Sequence, residues 1–369
     1  MYSRYIFIFS IFLIIIFTGE YFVYLSFHNI GLFKNSYIRN ATINLGIILP
    51  IIFIGATLYG AKHFSLLNSY LYTISSIWLG LLTYIVITTF FVSILILINN
   101  YFGFNIPIKI IYLVLIILSI ITIIYGIYNS NNPKVVNYVV SSPKLSPFWK
   151  DKKIIFTSDT HLGLIRREKF LKRIVDTINK ENPDIIFNLG DLIDGPSFPY
   201  QKEFTPMDDL KSKIGNFYVE GNHERYSQEY EKFKENFPKN LSDITNKKVI
   251  VNNTQIIGIP YGALKSNDDI NNELKLLGYD EKMPSIILMH DPMDTSKLVE
   301  NNVSLVLSGH THRGQFFPFT LLVKQIAGKY FYGVTNTKDT ISIISSGVGT
   351  AMIPIRIGTN PEVVVVTIK

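Results

Sequence analysis

Four long apolar stretches dominate the first part of this chain. They cover residues 5–27, 41–61, 71–98 and 107–128, and only Glu20 interrupts the first of them. A helix needs roughly 20 apolar residues to cross the hydrocarbon core of a bilayer, and each stretch reaches that length. We therefore predict a region of four transmembrane helices over residues 1–128 and a second domain over residues 129–369.

The first stretch has an alternative interpretation as a cleaved signal peptide. It follows only Arg4, lacks a clear small-residue cleavage site and is followed by three more spans, which favours a membrane helix. Glu20 is expected near a helix end, where its carboxylate reaches the membrane interface instead of forming an intramembrane site.

Charge and cysteine content restrict the partners and the chemistry. Of the 35 basic and 28 acidic residues, residues 1–128 hold five and one, so the net charge of +7 divides into +4 and +3. Neither part is strongly basic, and no nucleic-acid partner is expected; the expected partner of the first part is the lipid bilayer. The absence of cysteine excludes disulfides, thiolate nucleophiles and Cys-ligated zinc.

Four spans place both chain ends on the same side of the membrane. Four basic residues flank the spans on that side and three on the other, which favours a multi-pass membrane protein with a cytoplasmic second domain.

The second domain alternates short apolar runs with amphipathic helices. One helix places Phe170, Leu171, Ile174, Val175 and Ile178 on one face. The predicted strands are Val135–Val140, Ile154–Phe156, Ile185–Phe187, Phe217–Val219, Ile286–Met289, Leu305–Leu307 and Val363–Ile368. This alternation indicates an α/β layered domain.

Potential metal ligands follow five of these strands. In open α/β sheets, sites form beyond the carboxyl ends of the strands, so these side chains are expected to converge. They include all five histidines of the second domain, which a structural role does not readily explain. The residues are Asp159 and His161, Asp191, Asn222 and His223, His290, and His310 and His312.

The ligand types and their number indicate the metals. Imidazole and carboxylate groups without thiolate suit divalent Mn, Fe, Zn or Co. The potential ligand groups are too many for one catalytic ion but fit two. A pair of ions lowers the pKa of a bridging water and stabilises both oxygens of a phosphoryl displacement.

These motifs resemble those of the calcineurin-like metallophosphoesterase superfamily. The segments that carry the resemblance are Asp159-x-His161, Gly190-Asp191, Gly221-Asn222-His223-Glu224, His290 and Gly309-His310-Thr311-His312, with Ser346–Gly349 and Pro354–Arg356 similar to its membrane-attached prokaryotic branch. The resemblance covers residues 133–369 and implies a β-sandwich flanked by helices.

The resemblance also implies roles for individual residues. One metal is expected on Asp159, His161, Asp191 and His312. The other is expected on Asp191, Asn222, His290 and His310, with Asp191 bridging. A metal-bridging hydroxide would attack phosphorus, and His223 would act without binding metal, by stabilising the transition state or protonating the leaving oxygen.

Several further residues have two interpretations. Arg313 stands where the branch commonly has Gly, and it either contacts a substrate phosphate or packs against the protein; Ser346 stands where relatives often have Arg. Asp194 either supports Asp191 or is a turn residue. A basic cluster either meets lipid headgroups or a substrate phosphate, or forms a solvated helix face: Arg166, Arg167, Lys169, Lys172 and Arg173.

The sequence thus predicts an enzyme, a metal-dependent hydrolase of phosphoric esters or diphosphates. The expected substrate is a phosphorylated small molecule or lipid, and a lipid-linked diphosphate is favoured. A tethered phosphodiesterase for soluble nucleotides and a catalytically silent metal-binding module are the alternatives.

Overall fold

A computed structural model describes residues 2–194, 199–227, 229–263, 269–298 and 302–369. The chain forms two compact units. One contains Met1–Tyr59 and Leu66–Gly126, and the other contains Gly60–Ser65 and Ile127–Lys369.

The first unit is helical and agrees with the prediction of four apolar helices. Its helices are α1 (Tyr2–Asn29), α2 (Ser36–Gly60), α3 (Leu66–Phe102) and α4 (Ile108–Ser130). Within the described residues, these four are long and apolar enough to cross a membrane. Large apolar side chains such as Ile15, Leu97 and Ile124 are more than half exposed on the helices, as expected of surfaces that face lipid.

Glu20 does not lie at the end of its helix. It is nine residues before the end of α1, and its Oε1 is buried without a hydrogen-bond partner among the residues that the structure describes. Gly46 of α2 adjoins the carboxylate, because a β-carbon there would come within 2.7 Å of Glu20 Oε2. The carboxylate borders a largely apolar cavity of about 570 Å³ within this unit. The expectation that Glu20 lies near the end of its helix is therefore wrong.

The second unit contains two β-sheets, each with six strands in its described part. The first sheet has the order β1-β12-β2-β3-β4-β5, and the second has the order β10-β11-β9-β8-β7-β6. The strands of the first are β1 (Lys134–Val140), β2 (Lys153–Thr157), β3 (Ile185–Asn188), β4 (Gly215–Tyr218), β5 (Ser242–Asp243) and β12 (Glu362–Ile368). Those of the second are β6 (Lys247–Val251), β7 (Thr254–Ile259), β8 (Ser285–Met289), β9 (Val303–Ser308), β10 (Gly333–Thr337) and β11 (Thr340–Ile344).

Alternating side chains of each strand face the two sides of its sheet. In β2, Ile154 and Phe156 join the core shared by both sheets, whereas Ile155 packs with the helical layer. That layer includes α5 (Glu168–Lys180), whose Phe170 and Ile174 are buried against the first sheet. The predicted β-sandwich flanked by helices is confirmed.

The remaining helices are short. They are α6 (Tyr200–Phe204), α7 (Asn222–Arg225), α8 (Tyr230–Glu235), α9 (Asp269–Leu276) and α10 (Phe319–Ala327). Strands β2, β3 and β4 are parallel neighbours, as are β7, β8 and β9. The loops that follow these parallel strands therefore lie at a common edge of each sheet.

Candidate metal centre

The loops that follow the strands are joined by backbone hydrogen bonds. The amide of Asp159 donates to Gly190 O at 3.0 Å, and the amide of His161 donates to Asp191 O at 2.9 Å. Between the sheets, the amide of His310 donates to Asp159 Oδ2 at 3.0 Å. The first two bonds continue the pairing of β2 with β3 beyond the strands. All three bring the predicted ligands together.

A first cluster consists of Asp159, His161 and His312, whose potential ligand atoms all lie within 4.8 Å of one another. The Nε2 atoms of the two imidazoles are 3.0 Å apart. Asp159 Oδ1 lies 3.3 Å from His312 Nε2 and 4.0 Å from His161 Nε2. Two imidazole nitrogens and one carboxylate oxygen thus point at a common position.

A second cluster consists of Asp191, His290 and His310, again with ligand atoms within 4.8 Å of one another. His290 Nε2 lies 3.1 Å from Asp191 Oδ2 and 3.0 Å from His310 Nδ1. Its composition matches that of the first cluster, with two imidazoles and one carboxylate.

Asp191 connects the two clusters. Its Oδ2 is 3.1 Å from His290 Nε2 and 3.8 Å from His161 Nε2, so one oxygen faces an imidazole of each cluster. Its Oδ1 accepts a hydrogen bond of 2.9 Å from the amide of His223, which fixes the carboxylate. Asn222, the residue before His223, begins α7.

Two buried oxygen atoms of the site have no hydrogen-bond partner among the described residues, as is expected of atoms that bind a cation. Within the part of the chain that the structure describes, Asp159 Oδ1 and Asn222 Oδ1 are buried and accept no hydrogen bond. Leaving such an atom unsatisfied costs about 1–3 kcal/mol, and a coordinated cation removes that cost. Imidazole nitrogens and carboxylate oxygens are a suitable donor set for divalent Mn, Fe, Zn or Co. The residues present therefore fit divalent cations.

Hydrogen bonds orient two of the imidazoles. His290 Nδ1 donates to Leu189 O at 2.7 Å, and His161 Nδ1 donates to Asp194 Oδ1 at 3.0 Å, because a carbonyl and a carboxylate only accept. Each ring therefore turns its Nε2 towards the cluster, the arrangement in which metal-binding histidines are usually held. The expectation that Asp194 supports Asp191 is wrong, since its carboxylate contacts His161.

His223 lies beside the clusters but has a different environment. Its ring packs edge-on against His161 with centroids 4.6 Å apart, and its Nδ1 is 3.5 Å from Asp194 Oδ1. Its side chain is 31% exposed, whereas those of His161 and His290 are at most 1% exposed. The position gives His223 access to a molecule that approaches from solvent.

The two central carboxylates stay ionised at neutral pH. Burial favours their neutral form, but the surrounding histidines outweigh burial and hold the pKa of both Asp159 and Asp191 below the ordinary value. Two buried negative charges so close together create a field that attracts cations.

The imidazoles respond to this field in two ways. Burial lowers the pKa of His161 and His290, yet the neighbouring carboxylates raise it to about 8 and about 10. For His312, burial prevails with help from His161 and Arg356, and the pKa falls well below its usual range. Burial and the charge of His290 likewise lower the pKa of His310.

The backbone of the clusters adopts a conformation that is unfavourable for residues with a β-carbon. Such left-handed conformations cost on the order of 1–3 kcal/mol each and persist where the surroundings impose them. Gly221 allows a close approach, because a β-carbon there would overlap Asp191 Oδ1. The residues with φ between 48° and 68° include Asp159, His161, Asp191, His310 and His312.

Sequence reasoning gave Glu224 no role, although the structure places it under the site. Its side chain is fully buried and accepts three backbone hydrogen bonds of 2.9 Å, from Asp191, Ile193 and Gly221. It thereby joins the loop after β3 to the start of α7. Its position within Gly221-Asn222-His223-Glu224, directly beside the ligands, was the available sequence signal.

Arg356 supports the first cluster in a comparable way. Its side chain is completely buried, and its Nη1 donates to His312 O at 2.9 Å while its Nη2 donates to Gly349 O at 2.7 Å. The guanidinium therefore fixes the backbone that carries His312.

The basic side chains outside the clusters are more packed than the sequence indicated. Arg313 stacks on Tyr332, with its guanidinium carbon 4.3 Å from the ring centroid. Arg166 is only 3% exposed and donates to Ser130 Oγ at 2.8 Å and to Asn131 Oδ1 at 2.6 Å. The solvated-face interpretation is therefore wrong for Arg166.

Comparison with known proteins agrees with this fold and site. Residues 152–314 match the family model for the calcineurin-like phosphoesterase. An uncharacterised metallophosphoesterase of Campylobacter jejuni is 30% identical over 72% of this chain and 72% of its own length. The chain belongs to the metallophosphoesterase family.

Two further relatives extend the comparison. An uncharacterised metallophosphoesterase of Helicobacter pylori is 36% identical over 61% of this chain, and the match spans 60% of that protein's length. A zebrafish (Danio rerio) transmembrane protein with a metallophosphoesterase domain is 28% identical over 69% of this chain and 62% of its own. A transmembrane protein with a metallophosphoesterase domain is thus among the relatives.

Proposed function

We propose that this protein is a membrane-anchored two-metal phosphoesterase that hydrolyses a phosphodiester or diphosphate bond in a lipid-linked substrate. The observation that carries the proposal is the position of Asp191, whose Oδ2 is 3.8 Å from His161 Nε2 and 3.1 Å from His290 Nε2. A carboxylate oxygen that lies between two histidine-carboxylate clusters has the position expected of a ligand that bridges two metal ions.

The ligand assignment follows the two clusters. One cation would be held by Asp159, His161, Asp191 and His312. The other would be held by Asp191, Asn222, His290 and His310. When bound, two divalent cations supply Lewis acidity to a phosphoryl group and a nucleophilic water at neutral pH.

The protein's own residues orient the reaction. His223 Nδ1 faces Asp194, so its Nε2 is available to donate a proton to the departing oxygen of the substrate. The partial exposure of His223 allows a bulky leaving group to reach it. Arg313, stacked on Tyr332, is available as a contact for a second phosphate.

The membrane unit supports a lipid-linked substrate. A single span is enough to tether an enzyme, whereas the described residues contain four candidate spans. The last turn of α4 belongs to the same compact unit as the metal centre. Confinement near a bilayer raises the effective concentration of a membrane-borne substrate.

An activity screen with the purified full-length protein in nanodiscs tests the proposal. The protein would be stripped with EDTA and reloaded with Mn²⁺, Fe²⁺, Zn²⁺ or Co²⁺. The substrates would be a nucleoside-diphosphate-linked lipid, a cyclic nucleotide and a simple aryl phosphodiester. We expect metal-dependent hydrolysis of the lipid and the aryl ester, and none by Asp191→Asn.

Two other results would contradict the proposal. Hydrolysis confined to the soluble nucleotide would indicate a tethered nucleotide phosphodiesterase. Binding of two ions without hydrolysis of any substrate would indicate a silent metal-binding module.

A further inference from the structure

Helix α10 has an apolar face that is largely exposed, although the ring of Phe319 also packs edge-on against Phe316. Phe319, Leu322 and Ile326, at positions i, i+3 and i+7, lie on one side of the helix. They are 42%, 51% and 76% exposed, and no residue of the helix is buried. An amphipathic helix of a soluble domain buries such a face, so this one is suited to a different environment.

The residues beside this face extend the apolar surface. Phe317, just before the helix, is 46% exposed, and Leu321 within it is 60% exposed. We refer to Phe317, Phe319, Leu321, Leu322 and Ile326 as the α10 patch. The concentration of five large exposed apolar side chains within ten residues indicates a binding surface.

The start of α10 is tied to the end of a candidate membrane helix. Gln315 Nε2 donates to Ile353 O at 2.8 Å, and the amide of Phe317 donates to Ile357 O at 3.0 Å. In the same loop, Pro354 O accepts a hydrogen bond of 2.8 Å from Ser130 Oγ. Because Ser130 is the last residue of α4, the loop that fixes α10 also binds the end of α4.

The charge of the segment suits an anionic membrane surface. Residues 313–338 contain Arg313, Lys324, Lys329 and Lys338 but no Asp or Glu. Lys324 and Lys329 are exposed. Basic residues near anionic lipid headgroups each contribute about 1 kcal/mol of attraction.

We propose that α10 lies in the headgroup region of the bilayer, with Phe319, Leu322 and Ile326 inserted at the acyl boundary. The helix begins seven residues after His312, so the insertion presents a membrane-borne phosphate to the metal centre. This inference deepens the proposed function, on which its part about the substrate rests. The insertion itself can be measured without any turnover.

Labelling at a single cysteine tests the insertion in the full chain, which has no native cysteine. Ile326→Cys would carry a bimane fluorophore in nanodiscs of phosphatidylcholine and phosphatidylglycerol that hold one copy each. Leu276→Cys, at an 81% exposed leucine of α9, is the matched control. We expect brominated lipids to quench the label at 326 and aqueous iodide to quench the label at 276.

Two outcomes would overturn the insertion. Equal iodide quenching at both positions would mean that α10 faces water. Protection from iodide without quenching by brominated lipid would mean that another part of this chain covers the patch, since each disc holds one copy. Increased shielding only in discs with two copies would identify a second copy as the occupant and would also overturn the proposal.

A second variant tests the consequence for the substrate. Leu322→Glu with Ile326→Glu should abolish lipid quenching of a label at Phe319→Cys. It should also lower hydrolysis of a vesicle-borne phospholipid ester on the order of tenfold while sparing a soluble aryl phosphodiester. Leu276→Glu should change neither. Equal rates of the double variant and the unsubstituted protein on vesicles would overturn the role of α10 in lipid access. If the unsubstituted protein hydrolysed no substrate, the proposed function would be contradicted, and the quenching result would still stand.

Discussion

Asn129, in the last turn of α4, donates hydrogen bonds from Nδ2 to Arg356 O at 3.0 Å and to Thr359 O at 2.8 Å. The guanidinium of Arg356 in turn donates to His312 O at 2.9 Å. A single residue, Arg356, thus connects the end of a candidate membrane helix to a proposed metal ligand. The end of α4 is therefore a structural part of the candidate metal centre as well as the end of a candidate membrane span.

Asn129→Ala should weaken this connection. The buried carbonyls of Arg356 and Thr359 would each lose a donor, and one unsatisfied group costs about 1–3 kcal/mol. We expect a lower unfolding temperature in detergent and weaker Mn²⁺ binding by calorimetry. Asn132→Ala is the control, because Asn132 is exposed and its side chain donates to Tyr128 O, four residues earlier in the chain. Identical behaviour of the two variants would contradict the connection.

Asp191→Asn should remove both metals. The amide oxygen of Asn can still accept the hydrogen bond from His223 N, so the loop keeps its anchor while the bridging charge is lost. Elemental analysis should show reduced occupancy of both positions, and turnover should vanish. Asp176→Asn, at an exposed ion pair of α5 with Lys172, is the control. Full metal content with a near-normal rate would refute the bridging assignment.

His223→Ala should separate catalysis from metal binding. A general acid contributes typically 10²–10⁴-fold to the rate, and we expect a loss of about that size. The metal content should stay at the level of the unsubstituted protein, because His223 is proposed to act on the leaving oxygen alone. His28→Ala, in the membrane unit, serves as the histidine control. Loss of metal together with activity would make His223 a ligand.

Asp194→Ala should affect the metal through His161. The carboxylate holds His161 Nδ1 at 3.0 Å, and removing such a partner of a metal-binding histidine typically lowers metal affinity by about 10–100-fold. Titration of Mn²⁺ into the EDTA-treated protein measures the change. Because Asp194 also lies 3.5 Å from His223 Nδ1, the rate at saturating metal should fall as well. Unchanged affinity and rate would leave Asp194 as a turn residue.

The strands and the convergence of the candidate ligands were predictable because they depend on local patterns. Short apolar runs such as Ile154–Phe156 are followed directly by Asp159 and His161, and the shared edge of parallel strands then brings distant ligands together. Sequence order and residue type were sufficient for this part of the site.

The supporting contacts were not predictable because their partners are remote in sequence or depend on loop geometry. The sequence places Arg166 in a basic cluster, yet its side chain is buried and donates a hydrogen bond to Ser130, which lies 36 residues away. Asp194 is three residues from Asp191, but the turn directs its carboxylate to His161.

The number of spans is testable through the absence of native cysteine. Single cysteines would replace Ser36 and Lys150, which are both exposed. Between these positions lie α2, α3 and α4, an odd number of candidate spans. The two cysteines should therefore react with a membrane-impermeant maleimide from opposite sides of sealed vesicles, and both should react after the membrane is dissolved.

The same experiment tests the proposed orientation. Four basic residues flank the predicted spans on the side of the second domain and three on the other, so we expect Lys150→Cys to react only from the cytoplasmic side. Reaction of both cysteines from one side would require an even number of spans between them and would contradict the four-helix topology. Reaction of Lys150→Cys from outside, with Ser36→Cys protected, would keep the topology and reverse the orientation. The enzyme would then act on substrates outside the cytoplasm.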